Sequence, residues 1–376
     1  MNQPNYDAVL IIAASEKDAN LYYATRFLAP DPFIYTEIRG KIYLFMSDLE
    51  IDRAKSEAKV DEVLSTSEFA KRLQTKKVEP VSLNMIDLLY QEEKVKEILV
   101  PNNFPFIYGE GLLKKGYRLM TKEEPFFESR LFKTEEEIAK IEETQRCTEA
   151  AVEEAIHVIE RSRIENGKLY VNGKPLTSEA IKKIINVKLM EFDCIAEHTI
   201  VSCAKDCVDP HNQGSGPLLA NESIVLDVFP RSAKTGYFAD MTRTVVKGKA
   251  NPKLKKMYQL VKEGQEIGFK LLKDGVDGSW VHNRIAEHFE KEGFMTGQMD
   301  GRMQGFFHGT GHGVGLEIHE LPRVSSVKQT IRSNQVVTVE PGLYYLDAGG
   351  VRIEDLVVVT KTGIKNLTKF PKVLEI

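Results

Sequence analysis

Apolar and polar positions along this chain alternate, fall into helical phase, and alternate again, and each change of period marks an element. In the first third the apolar run 8–14 reads as a strand, 17–27 as a helix, and 33–38 with 41–46 as a hairpin turning at Arg39-Gly40. A helix near 68–75, a short apolar 98–100 and a helix near 109–116 follow. This is an α/β pattern, and no reactive side chains cluster in it.

From 134 onward the period lengthens. Thr134-Glu-Glu-Glu137 forms a capping box: the Thr oxygen can accept from the third amide while Glu137 reaches back. Ile138, Ile141, Val152, Ile156 and Ile159 then keep helical phase, so one face of a long helix is buried. A boundary at 126–133 separates an amino-terminal α/β domain, 1–130, from a second domain, 131–376. In the latter, Asn172-Gly173 marks a hairpin turn and Thr177 caps a helix carrying Ile181, Ile184, Ile185 and Leu189. Helices are predicted at 252–273 and 279–293, with β-rich stretches at 223–247 and 335–360. The chain as a whole is α+β.

Length and composition narrow the function. The 376 residues suffice for two to three domain-sized units, and 42% hydrophobic with 28% charged residues is a globular composition. A net charge of −4 lacks the basic excess that a phosphate backbone demands, so nucleic acid is not an expected partner. Residues 1–7 carry no basic flank, and 8–14 is too short for a signal sequence or membrane span; a cytoplasmic protein without membrane attachment is expected. The four cysteines read as reduced thiols, and Cys203/Cys207 has no second pair to complete a zinc site.

Two acids interrupt apolar strands, which is costly unless their charge is paired or coordinated: Asp227 in 224–229 and Asp240 in 236–244. An antiparallel hairpin centred between Ala233 and Lys234 would set them directly opposite. Glu340 and Glu354 repeat the arrangement in 336–342 and 351–358, about a turn centred on Asp347. Opposed Cβ atoms lie roughly 4.5–5.5 Å apart, where two carboxylates repel unless a cation sits between them. The plainer reading of each acid is a carboxylate bonded to backbone amides, Arg243 or Arg352. Two such pairs in one chain weigh against it.

Of eight histidines, His211, His308, His312 and His319 stand out; His157, His198, His282 and His288 read as ordinary residues. The glycines of His308-Gly-Thr-Gly-His312-Gly-Val-Gly leave the backbone open around an imidazole, so something must approach closely there. They do not fit the dinucleotide pattern, and Arg323 four residues after His319 excludes a His-Glu-x-x-His zinc helix.

The ordered set Pro210-His211, Asp227, Asp240-x-Thr-Arg-Thr244, His308-Gly-x-Gly-His312, His319, Glu340-Pro-Gly and Arg352-Ile-Glu354-Asp resembles the pita-bread metallopeptidases: Xaa-Pro dipeptidase (prolidase), aminopeptidase P and methionine aminopeptidase. The resemblance spans about residues 134–370. It implies a pita-bread catalytic domain, with Asp227, Asp240, His312, Glu340 and Glu354 as ligands of two divalent metal ions. Asp240 and Glu354 would bridge the ions. Four carboxylates and one imidazole suit Mn²⁺ first, and also Co²⁺, Fe²⁺ or Zn²⁺.

The resemblance further implies hydrolysis of the Xaa-Pro bond by a hydroxide shared between the metals, with Glu340 relaying a proton to the leaving nitrogen. His308 and His319 would bind the carbonyl or carboxylate side of the substrate, His211 would contact the departing residue, and Arg352 would orient carboxylates. The amino-terminal α/β domain resembles that of prolidase, aminopeptidase P and creatinase, which favours Xaa-Pro cleavage and a homodimer. Creatinase-like C–N hydrolysis and a non-catalytic binding protein are the alternatives. The sequence departs from the family at Phe229-Pro230, where a glycine is usual, in a hairpin about two residues longer, and in the stretch 202–209 before Pro210-His211.

Overall fold

The computed structural model describes residues 6–376, so the first five residues of the amino-terminal flank lie outside it. The chain divides between Arg130 and Leu131 into two compact units.

The first unit is built on a six-stranded sheet in the order Glu62–Ser65, Lys41–Met46, Phe33–Ile38, Ala8–Ala13, Glu97–Pro101, Arg118–Lys122. The three middle strands pair antiparallel and the outer ones parallel. Period-two alternation divides the strand Ala8–Ala13 between two cores. Ala8, Leu10 and Ile12 pack with the Phe69, Leu73 and Met85 side, and Val9 and Ile11 with Leu21 and Phe27. The hairpin turns where expected, Arg39 and Gly40 both having positive φ (49° and 85°). The helices Ile51–Glu57 and Ser82–Glu92 have no counterpart in the sequence reading; neither has a side chain capping its first turn, so the usual start signal is missing.

In the second unit two helix pairs each cover one face of a sheet. The helix Glu135–Arg161, with the Thr134–Glu137 capping box formed in both directions, packs against Ser178–Met190. Together they cover the strands Ile200–Cys203, Ile224–Val228 and Met241–Val245. The helices Pro252–Leu271 and Gly278–Lys291 do the same for a five-stranded sheet ordered Glu320–Val324, Gly311–Gly313, Val336–Val339, Asp355–Val359, Ile364–Asn366. Alternation then places the chemistry. Ile224, Leu226 and Val228 enter the helix-side core, so Asp227 projects from the opposite face. Likewise Val337, Val339 and Val357 pack on the second helix pair, leaving Thr338 and Glu340 to the other side. Among the described residues no helix is long and apolar enough to cross a membrane.

Candidate metal centre

The first acid hairpin differs from expectation by two residues in register. Asp227 pairs with Thr242, and Val228 with Met241. The cause lies in the turn: Arg231 bridges to Phe238, Gly236 closes the loop with φ 74°, and the centre moves to between Lys234 and Thr235. Asp240 therefore lies diagonal to Asp227, on the same face, rather than opposite it. The second hairpin has the expected register. Val339 pairs with Asp355 and Gly342 with Arg352, so Glu340 and Glu354 oppose one another in the gap between two ladders.

The two glutamates are each held by a hydroxyl, whereas Asp240 is anchored only through its backbone. Thr242 Oγ1 donates to Glu354 Oε2 (2.8 Å) and Thr338 Oγ1 to Glu340 Oε1 (3.0 Å). The backbone N–H of Asp240 donates to Gln145 Oε1 (3.3 Å). Asp227 instead pairs with Arg352, whose Nη2 lies 2.7 Å from Oδ2, as in the plainer reading of that acid. The Arg352 fork also donates to the Tyr344 hydroxyl (2.9 Å) and the Pro210 carbonyl (3.3 Å from Nη2).

His312 joins the acids. Its Nδ1 lies 3.1 Å from the Gly313 carbonyl, which leaves the Nε2 lone pair 3.3 Å from Glu340 Oε1 and 3.7 Å from Asp240 Oδ2. Burial holds the imidazole pKa down at about 4, so a lone pair faces carboxylate oxygens at neutral pH. Burial, then the charges of Glu354, Asp227 and Glu340, raise the Asp240 carboxyl well above the carboxylate range. Glu354 is raised by burial and by Glu340 and Asp227, and burial pushes Glu340 up to about 7. Donor atoms of Asp240, His312 and Glu354 lie within 4.8 Å of one another. Asp240 Oδ1 and Glu354 Oε1 are buried without a hydrogen-bond partner. Unpartnered carboxylate oxygens facing an imidazole lone pair are a donor set that fits a hard divalent cation.

These residues line one cavity of about 830 Å³ together with His211, His308, His319 and Arg352. The His319 ring stands edge-on to His312, 4.4 Å between centroids. Burial lowers the His319 pKa to about 4 and that of His308 to about 3. Both ring nitrogens of His308 are engaged, by the Gly309 carbonyl (2.8 Å) and the Tyr344 hydroxyl (2.9 Å), so a substrate contact through His308 requires Tyr344 to yield.

The glycines around His312 are explained by the protein's own strands rather than by a ligand. A Cβ at Gly311 would fall 2.0 Å from the Thr338 carbonyl oxygen, and one at Gly313 would fall 2.4 Å from that of Leu321.

A match to metallopeptidase family M24 covers residues 139–361. The chain belongs to metallopeptidase family M24. A Xaa-Pro dipeptidase of Pyrococcus horikoshii is 31% identical over 380 residues, spanning 98% of this chain and 94% of the relative. An X-Pro aminopeptidase from Thermotoga maritima superposes with a TM-score of 0.82 at 23% identity, covering 99% of this chain and 98% of the other. The prolidase from P. horikoshii OT3 gives 0.77 at 26%, covering 98% and 95%. The fold of this M24 chain is the pita-bread fold of these neighbours, with an α/β domain before it.

Three features of this M24 member, two in the cavity lining and one bonded to it, escaped the sequence. His198, read as ordinary, lines the cavity and bonds Gln213 through Nδ1 (3.1 Å). Tyr344 joins His308 to Arg352 yet sits in an apolar strand, where a tyrosine reads as core. Phe307 supplies apolar wall, beside Phe229, which the sequence marks only as a departure from the family. His282 and His288 bond Thr310 and Glu263 and are not among the cavity's lining.

Proposed function

We propose that this M24 chain is a Xaa-Pro peptidase that hydrolyses the bond between a first residue and proline, using two divalent cations, Mn²⁺ foremost. Asp227, Asp240, His312, Glu340 and Glu354 would hold them, Asp240 and Glu354 serving both. The observation that carries this reading is the pair of buried, unpartnered oxygens, Asp240 Oδ1 and Glu354 Oε1, in a cavity that also holds an imidazole lone pair. The Xaa-Pro dipeptidase relative at 31% identity over nearly the whole chain supports the substrate class.

Bound there, the cations supply a water nucleophile at neutral pH and stabilise charge developing on the scissile carbonyl oxygen. The chain's own residues do the rest. Glu340 passes a proton to the leaving nitrogen. His319, neutral and at the cavity wall, donates to the carbonyl or carboxylate side of the substrate, joined by His308 when the Tyr344 hydroxyl moves aside and the His308 proton shifts from Nδ1, where it faces the Gly309 carbonyl, to Nε2. His211 contacts the departing residue. Arg352 fixes Asp227, and through Pro210 the segment that carries His211. The working form is a cytoplasmic homodimer.

The test is release of proline from Ala-Pro by metal-stripped protein with and without Mn²⁺, beside cleavage of longer Xaa-Pro-Yaa peptides. Turnover of the dipeptide identifies a dipeptidase and turnover of longer peptides alone an aminopeptidase P. Metal uptake without turnover of any Xaa-Pro peptide overturns the proposal. Light scattering on the eluted protein reads the dimer.

A further inference from the structure

His312 and His319 are joined by a loop, and that loop is organised by one carboxylate that the reaction does not use. Glu320 Oε1 accepts the backbone N–H groups of Leu316 (3.0 Å) and Glu317 (3.2 Å). Its Oε2 lies 2.7 Å from Lys133 Nζ, and the two side chains are only 7% and 3% exposed. The loop is moulded to this group: a Cβ at Gly315 would lie 2.5 Å from the Glu320 carboxylate. The Gly315 carbonyl in turn accepts the N–H of Phe238, two residues before Asp240.

Lys133 is fixed by its neighbours. It immediately precedes Thr134, the capped start of the helix Glu135–Arg161, and its own N–H donates to the Asn334 carbonyl (2.7 Å). A buried ion pair satisfied by further hydrogen bonds contributes geometry more than net stability, because desolvation offsets most of its Coulomb gain. What it fixes here is the backbone from Gly315 to Glu320, and with it the placement of His319 edge-on against His312.

We propose that Lys133 and Glu320 are positioning residues: their buried ion pair clamps the 315–320 loop so that the His319 imidazole meets the substrate. The role assigned to His319 rests on the Xaa-Pro reading above, whereas the clamp itself does not. The pair does not touch substrate and acts through His319.

The experiment compares wild type, Lys133→Met, Lys133→Arg, His319→Ala and the Lys133→Met/His319→Ala double variant. Amide hydrogen exchange is followed at Leu316 and Glu317, and kcat and KM are measured on Ala-Pro with Mn²⁺. Lys133→Met is expected to speed exchange at those two amides at least tenfold while the helix Pro252–Leu271 keeps its protection. It should also lower kcat at least tenfold with KM changed less than threefold. Lys133→Arg, which keeps a cation in place, should restore most of both. The double variant should be within twofold of His319→Ala, because a residue acting through His319 has nothing left to act on. Losses that multiply in the double variant, or unchanged exchange at Leu316 and Glu317, overturn the proposal. Should Lys133→Met fail to fold, Glu320→Gln, which retains an oxygen acceptor, replaces it with the same expectations. A wild type inactive on every Xaa-Pro peptide would count against the functional reading alone, and the exchange arm would then decide the clamp.

Discussion

The Arg352 guanidinium lies 2.7 Å from the Asp227 carboxylate, with both side chains largely buried, so one acid of the centre is oriented by a cation supplied by the chain. Arg352 simultaneously engages Tyr344, Pro210 and the Thr242 hydroxyl (3.2 Å), four partners with Asp227, more than the three N–H groups of an ammonium can serve. Arg352→Lys is therefore expected to lower kcat/KM on Ala-Pro by ~10–100-fold, the range for groups that orient metal ligands. Titrating Mn²⁺ into the stripped variant by calorimetry should show weakened uptake alongside. Wild-type affinity and activity in this variant would mean that Asp227 needs no such support.

Asp240→Asn tests the centre from its most crowded point. Burial and three neighbouring acids raise the Asp240 carboxyl, so the charge is a burden on the metal-free fold. The amide removes that charge at nearly unchanged volume. Activity should fall at least ~100-fold, about the scale of losing a group made for the transition state, while the metal-free variant melts no lower than metal-free wild type. Calorimetric melting and proline release check the two halves separately.

Much of this was legible in the sequence, and the parts that were not share a cause. The Glu340/Glu354 register could be read because a three-residue turn, 346–348, joins two strands that keep a single register on both sides of the acids. The Asp227/Asp240 register slipped because Arg231–Ser232 pairs with Cys194–Ile195, a contact from distant sequence that reshapes the turn. His312 was marked by its glycines, and the close approach they call for is there, but what approaches, the backbone of neighbouring strands at Gly311 and Gly313, is set by the fold and not by local sequence. Tyr344 and His198 carried no local signal, since what ties the one to His308 and Arg352 and sets the other in the cavity wall is residues they meet only after folding.

Removing the metal should invert the usual pH dependence of stability at this centre. The folded-state carboxyls of Asp240 and Glu354 are raised, and that of Glu340 stands at about 7. Unfolded carboxylates titrate near ~4, so between these limits the folded chain holds more protons and stability falls as pH rises. The contribution is fully favourable below the unfolded value and lost as pH climbs through the folded one. Melting curves of chelator-treated wild type and Glu354→Gln, compared from pH 5 to 8, isolate the centre from the rest of the chain. The wild type should lose stability relative to the variant as pH rises, and Mn²⁺ should raise its melting temperature more at pH 8 than at pH 5. A wild type that gains on the variant over this range would contradict the argument.

Gly311→Ala bears on how closely the strands that carry the centre must approach. The added methyl would meet the Thr338 carbonyl oxygen 2.0 Å away, in a neighbouring strand that cannot yield without moving Glu340, two residues on. The cost should be ~1–3 kcal/mol, as for overpacking in a close-packed interior, and activity should drop more than stability alone explains. Denaturant melts and Mn²⁺-saturated kinetics of the variant provide both numbers.

Tyr344→Phe separates the two roles open to His308. The phenol oxygen joins His308 Nε2 to Arg352, each at 2.9 Å, and the ring is fully buried, so phenylalanine keeps the packing and removes only the bridge. Leaving a buried acceptor and a guanidinium N–H without this partner should cost ~1–3 kcal/mol. If His308 serves chiefly by holding Tyr344 and Arg352 in place, kcat/KM falls roughly three- to tenfold, through Arg352 and Asp227, an effect of ~1 kcal/mol on the barrier. That is the expected outcome, because both ring nitrogens are already engaged within the chain. A variant faster than wild type, with lower KM, would show instead that the hydroxyl withholds His308 from the substrate.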